Sequence, residues 1–424
     1  MFRPDNPFPF TRSPFPAFMP ILRNIATLAT CRAGTPQADA SVIPDAALAW
    51  DGDHITWVGA ELDLPANLRD QPSHDAAGRT VIPGLVDCHT HLAFGGWRAD
   101  EFEQRITGAS YLEIAERGGG IMSTVRKTRE ASEEVLHARA SEWLIAMRRL
   151  GVTTVECKSG YGLDRDTELR LLHVYRTLAN DGPSRIVPTY LGAHVVPPEY
   201  RERRDEYLRL LIEEMIPRIA REGLAECCDV FVERSAFSAD EGRRILHAAR
   251  AAGLQAKVHA DQLTDSGGAA LAAEVGALSA DHLEHVSEAG IAALAAAGVV
   301  AVSLPLATLY LDKRPMPARR LLEAGVPVAV ATDFNPGSAP SYHLPFAMTL
   351  ACNLQRMTPA EVLMGATIVA ARAVGRASDI GSLEVGKRAD FAVIDAANVT
   401  EWLYFLRENS CVGTVIGGRT AWSI

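Results

Sequence analysis

The chain has 424 residues, a net charge of −10 at pH 7, and 48% hydrophobic against 22% charged residues. These proportions are those of a globular protein and exclude a disordered chain, while the acidic balance argues against nucleic acid or an anionic membrane as partner, since both call for a basic surface. The length suits one large α/β barrel with an accessory domain, or two to three ordinary domains.

The opening residues MFRPDNPFPFTRSPFPAF interleave Pro with Phe and lack the continuous apolar stretch of a secretory signal, so residues 1–20 read as a mobile tail. From Ile21 to Thr80, short runs such as ALAWDG, HITWVGA and GRTVIPG alternate with Asp-Gly and Pro turns. That is the pattern of a small β-domain. It returns near the other end in SLEVGKRADFAVID and VGTVIGGRTA, so residues 21–80 and 379–424 are expected to pair into one small β-sandwich. No apolar run reaches membrane-spanning length, and seven cysteines without C-x-x-C spacing read as reduced thiols of a cytoplasmic enzyme.

Residues 81–378 carry a strand-then-helix rhythm. The strand candidates are Leu85–Cys88, Val152–Cys157, Ile186–Leu191, Asp229–Val232, Leu254–Val258, Leu278–Asp281, Val299–Ser303 and Val326–Ala331. Helical spacing follows most of them, as in Ser238–Ala252, Ser266–Val275 and Ala289–Ala297. Eight such units imply a parallel (β/α)8 barrel of the triosephosphate-isomerase type. An open doubly wound sheet is the competing reading, but no G-x-G-x-x-G follows the first strand. The long stretch from Leu92 to Leu150 is expected to add helices over the barrel mouth, and Gly118–Gly120 reads as a helix-entry loop because the phosphate-loop pattern is absent.

In such barrels the working residues stand at the C-terminal ends of the strands. The first strand delivers His89 and His91, whose alternate positions share a face; the fifth delivers His259, the sixth His282 and the eighth Asp333. Imidazoles with a carboxylate suit Zn2+ or Fe2+ over the oxygen-seeking Mg2+ and Ca2+. Asp333 can touch such a metal and accept a proton from water, and His282 can orient the nucleophile or polarise the bond under attack. The chemistry expected is hydrolysis at an sp2 carbon.

The stretch PGLVDCHTH, the later His259, His282 and Asp333, and the closing LEVGKRADFAVID resemble the amidohydrolase superfamily over nearly the whole chain after the tail. The longer runs HLAFGGWRADEFEQRITGASYLEIAERGGGIMSTVRKTR, ECKSGYGL, YLGAHVVP, HADQ and TDFNPGS resemble its imidazolonepropionase family. The resemblance implies hydrolysis of 4-imidazolone-5-propanoate to N-formimidoyl-L-glutamate in histidine degradation. Binuclear members carry a carboxylated lysine after the fourth strand; the position here is near Glu233, with Lys158 after the second strand instead, so one metal is expected on His89, His91, His259 and Asp333.

By the same resemblance Arg98, Tyr161, His194, Gln262, Asn335, Gly337 and Ser338 meet the substrate. Arg98 can pair a propanoate in bidentate fashion, and Asn335, Gly337 and Ser338 follow the last strand, where barrels often offer backbone amides to anions. Either site suits the carboxylate. Gln262 stands where H-x-x-E deaminases carry glutamate, which moves the general-base role to Asp333 and His282. Another cyclic amidohydrolase or a deaminase of the superfamily, or a non-catalytic homologue, are the alternatives. A homodimer acting on a small anionic substrate is expected.

Overall fold

The computed structural model describes residues 21–108, 119–311 and 314–423; the expected tail, residues 1–20, lies outside them. The chain begins with β1 (Ile21–Ala29), β2 (Val42–Asp51) and β3 (His54–Ala60), an antiparallel meander. The β2–β3 turn passes through Gly52 at φ 57°, which the Asp-Gly dipeptide allows. Next, β4 (Ser73–Asp75) and β5 (Thr80–Pro83) run parallel to β1.

The barrel follows as β6 (Leu85–Thr90), β7 (Val152–Lys158), β8 (Arg185–Ala193), β9 (Cys227–Val232), β10 (Gln255–Ala260), β11 (Ser279–His282), β12 (Val300–Ser303) and β13 (Val328–Val330). All eight are parallel and neighbours in sequence are neighbours in the sheet. Each expected strand is present. Their near-continuous apolar character reflects burial on both faces, barrel interior and helical ring. The ring closes where the chain after β13 meets β6: Asp333 N–H donates to His89 O (3.0 Å), His91 N–H to Phe334 O (2.8 Å), and the Asp87 carboxylate accepts from Thr332 N–H and Oγ1.

The insertion after β6 supplies helices Ala99–Ile106, Ile121–Glu130 and Glu133–Arg149. Gly120, at φ 67°, opens the second of these with its N–H on Glu101 Oε1 (2.9 Å), so among the described residues the glycine run is a helix entry. Ser238 and Glu241 form a reciprocal capping box at the start of helix Ala239–Ala251. In the stretch Glu199–Arg209 the charged side chains face solvent, all exposed but the half-buried Arg204, while Tyr207 is buried beneath them and its hydroxyl donates to Gly192 O (2.7 Å).

The chain closes with β14 (Phe391–Ile394), β15 (Cys411–Ile416) and β16 (Arg419–Ser423). β14 pairs antiparallel with β5, Ala392 opposite Ile82, so the two chain ends share one sheet in the order β16-β15-β14-β5-β1-β2-β3. Its core joins Leu22, Ile25, Leu48 and Trp50 from one end to Leu383 and Phe391 from the other, with Trp50 edge-on to Phe391. All seven cysteines are free thiols, and no described helix is long and apolar enough to cross a membrane.

Candidate active site

Barrel closure is what brings the first and last strands' polar residues together. His89 and His91 leave β6 on one face, and Asp333, held by the bond from its N–H to His89 O, places Oδ1 3.4 Å from His89 Nε2 and 3.5 Å from His91 Nε2. His259 ends β10 with its ring centroid 4.5 Å from that of His89, and His282 ends β11 at 5.3 Å from His259. His282 (φ 82°) and Asp333 (φ 56°) both take the left-handed backbone conformation, which costs about 1–3 kcal/mol at such residues and is tolerated where the surroundings fix it. Among the described residues two groups of ligand atoms result, each within 4.8 Å: His89, His259 and His282, and His89, His91 and Asp333. His89 belongs to both.

The donor set fits a metal ion. His89 Nδ1 lies 2.6 Å from Asp281 Oδ2, which commits that nitrogen and turns Nε2 toward the cluster; His259 Nδ1 lies 2.9 Å from Asp229 Oδ2. Both Nε2 atoms are buried without a hydrogen-bond partner, an arrangement that costs stability unless something fills it. Burial pushes the His89 and His259 pKa values below the usual imidazole range, and neutral imidazole is the form that binds metal. His282 differs: burial, the largest influence, lowers its pKa, but Glu284, 3.6 Å from Nδ1, together with the Asp333 and Asp281 carboxylates raises it above the ordinary imidazole value.

Sequence reasoning missed the acids behind these histidines. Asp229 and Asp281 lie inside strands, fully buried, with Lys158, Lys257 and Glu156 beside them. Lys158 Nζ pairs with Asp229 (2.7 Å) and Glu156 (2.8 Å). At the end of β9 the Glu233 carboxylate accepts from the amides of Arg234, Leu263 and Thr264 and from the hydroxyls of Thr264 and Ser266. It holds the loop carrying Gln262, which is half-buried.

At the mouth, Arg98 lies against the loop after β13. Its N–H donates to Pro336 O (3.3 Å), and its guanidinium occupies the space beside Gly337 so closely that a Cβ there would fall 1.4 Å from Nη2. Arg98 Nε is buried without a hydrogen-bond partner. The amides of Gly337 and Ser338 both donate to Asn335 Oδ1 (2.8 Å each), and Asn335 Nδ2 donates to Asp333 O (2.7 Å). Those amides are committed within the loop, whereas the guanidinium has the Glu101 carboxylate 3.9 Å from Nη1 as its neighbouring charge.

Across the cluster, the His194 ring stacks on that of His91 (5.2 Å, 15°), with Tyr161 5.4 Å from His91. His194 Nδ1 lies 3.0 Å from Gly160 O, and burial holds its pKa well below the usual range. A further unanticipated residue fixes this side. Glu168, in helix Arg165–Asp181, accepts from the amides of Gly160, Gly162 and Leu163 and so sets the loop that carries Tyr161 and meets His194.

Comparison with known proteins agrees with this architecture. The amidohydrolase family model matches residues 80–421. An imidazolonepropionase of Geobacillus thermodenitrificans is 46% identical over 412 residues, covering 95% of this chain and 97% of its own length. The chain belongs to the imidazolonepropionase group of the amidohydrolase family. Another member, from Symbiobacterium thermophilum, is 50% identical across 88% of both chains. Among solved structures, a zinc-bound adenosine deaminase from Xanthomonas campestris superimposes with a TM-score of 0.71 at 20% identity over 95% of this chain and 92% of its own. An atrazine chlorohydrolase variant from Arthrobacter aurescens, complexed with zinc and atraton, does so at 0.71 and 18% over 95% of each. At that identity these two speak for the fold alone; the imidazolonepropionase group is defined by the sequence relatives.

Proposed function

We propose that this protein hydrolyses 4-imidazolone-5-propanoate to N-formimidoyl-L-glutamate, the ring-opening step of histidine degradation. The observation that carries the reading is the 46% identity to an imidazolonepropionase along 95% of the chain. The site chemistry supports it. His89, His91, His259 and Asp333 would hold one divalent ion, Zn2+ or Fe2+, with Glu233 and Lys158 committed to other partners and so unavailable for a second. Such an ion lowers the pKa of a bound water to about 7 and makes hydroxide available at neutral pH.

The protein's own groups do the rest. Arg98 pairs with the propanoate through its planar fork. His194, with Nδ1–H on Gly160 O, offers Nε2 as acceptor to a ring N–H, and Gln262 can both donate to and accept from the ring. The water oxygen adds to the ring amide carbon, His282 hydrogen-bonds the carbonyl oxygen as charge grows there, and Asp333 takes the water's proton. The C–N bond then breaks, and Asp333 returns that proton to the departing nitrogen. Tyr161 walls the ring beside His91 and His194.

Incubation with 4-imidazolone-5-propanoate and with a panel of cyclic amides, purines and pyrimidines, read by mass spectrometry, tests the substrate. Selective gain of one water by the imidazolone is the expected result; deamination of a purine or pyrimidine instead transfers the protein to the aminohydrolase reading. The proposed assembly is a cytoplasmic homodimer, supported by the exposed apolar run Tyr404, Phe405 and Leu406 and checked by sedimentation.

A further inference from the structure

The barrel interior below the site holds Lys158, Lys257, Glu156, Asp229 and Asp281, none of them accessible to solvent. Apolar side chains are the ordinary filling of such a space, and a buried charge cluster is seldom more stable than that filling. Its connections show what it does. Lys158 Nζ stands 2.7 Å from Asp229 Oδ2 and 3.6 Å from Asp281 Oδ2. The same Asp229 oxygen lies 2.9 Å from His259 Nδ1, and the same Asp281 oxygen 2.6 Å from His89 Nδ1. One ammonium therefore bridges the two carboxylates that orient two metal-site histidines from β6 and β10.

The remaining charges brace this bridge. Glu156 Oε1 takes Lys158 at 2.8 Å and the Thr189 hydroxyl at 2.6 Å, while Lys257 donates to the carbonyls of Cys88 and Ala373 and stands 3.8 Å from Asp281. Removing the Lys158 ammonium leaves Asp229 and Asp281 facing each other in a dry interior without the group that holds both in place. Like charges there repel strongly.

We propose that Lys158 is a positioning residue for the metal centre: its ammonium clamps Asp229 and Asp281 so that His259 and His89 present their Nε2 atoms to one point. The inference rests on the metal site proposed above. Lys158→Met and Lys158→Gln are compared with the wild-type enzyme by Zn2+ competition against a chelator and by the visible spectrum of the Co2+-loaded protein, with circular dichroism as the check on folding. Loss of a direct partner of a metal ligand lowers metal affinity about 10–100-fold; Lys158 acts through two such partners, so the folded variants bind Zn2+ more weakly by up to that factor, show an altered Co2+ spectrum, and lose kcat with KM retained. A folded variant with wild-type Zn2+ affinity and spectrum overturns the proposal.

Should neither variant fold, the wild-type Zn2+ protein carrying 15N-labelled histidine decides. The clamp requires His89 and His259 to be protonated at Nδ1 and to ligate through Nε2; an unprotonated Nδ1 on either overturns it. A wild-type protein that takes up neither Zn2+ nor Co2+ rejects the metal site itself, a result distinct from unaltered binding in the lysine variants.

Discussion

Substitution of Gly337 by alanine separates substrate binding from the rest of catalysis. The Gly337 backbone does not require glycine, since its φ lies outside the left-handed region, so the glycine is there for space. An added Cβ would lie 1.4 Å from Arg98 Nη2, 1.8 Å from Cζ and 2.3 Å from Nε, and the guanidinium must move. The far end of a flexible side chain can do so without unfolding the loop, whose own bonds run through Asn335. On the role proposed for Arg98, what is lost is the charge-assisted pairing with the propanoate, worth about 1.5–3 kcal/mol, or roughly 10–150-fold in KM, with kcat little changed. Steady-state kinetics on Gly337→Ala, Arg98→Ala and the double variant provide the assay. Because both single changes remove one interaction, the double variant is expected to be no worse than Arg98→Ala. A wild-type KM in Gly337→Ala, or effects that simply add, would refute the assignment of Arg98 as the carboxylate's partner.

Two further substitutions probe other parts of the fold. Glu168→Gln replaces a carboxylate that accepts three backbone amides by a weaker acceptor, and is expected to lower stability by about 1–3 kcal/mol in urea unfolding and to raise KM as Tyr161 and His194 lose their fixed loop. Ser238→Ala removes a helix cap whose side chain bonds only within its own capping box and should cost about 1 kcal/mol while leaving KM and kcat at wild-type values. In the same cap, bonds from Arg204 hold the Glu241 carboxyl down to about 2 from its ordinary 4.5. A depressed carboxylate stabilises the fold fully above its unfolded value, so the Glu241 contribution is complete above pH 4.5 and disappears as pH falls toward 2. Unfolding of wild type and Glu241→Gln followed against pH should converge below that window; a constant difference through pH 2 would contradict the linkage.

The barrel is legible in the sequence because strands buried on both faces read as apolar runs and their helices repeat at helical spacing. The cluster of His89, His91, His259, His282 and Asp333 is legible because strand ends have a known use in such barrels. The residues that organise them are not, for two reasons. Asp281 orients His89 from 192 positions away, so no local spacing links them. And Lys158, Asp229 and Asp281 occupy strand segments whose apolar neighbours dominate any pattern, although ionisable residues within a fully buried strand are themselves a sign of paired charge. Glu168 lies in the first turn of an ordinary amphipathic helix, and only the fold shows that its carboxylate leaves the helix for the Tyr161 loop. Gly337 carries no side chain to signal its part; the approach of Arg98 gives it meaning.

The measurement that bears most directly on the account is the loss of ultraviolet absorbance of freshly generated 4-imidazolone-5-propanoate, followed with wild type and with Asp333→Asn, metal content being assayed on the same samples. Because the substrate also decays unaided, the variant sets the background. The account predicts accelerated decay by wild-type protein carrying about one metal ion per chain, and decay at the background rate with folded Asp333→Asn. Wild-type protein that holds its metal and leaves the substrate to decay at the background rate would contradict the proposed reaction while leaving the amidohydrolase fold intact.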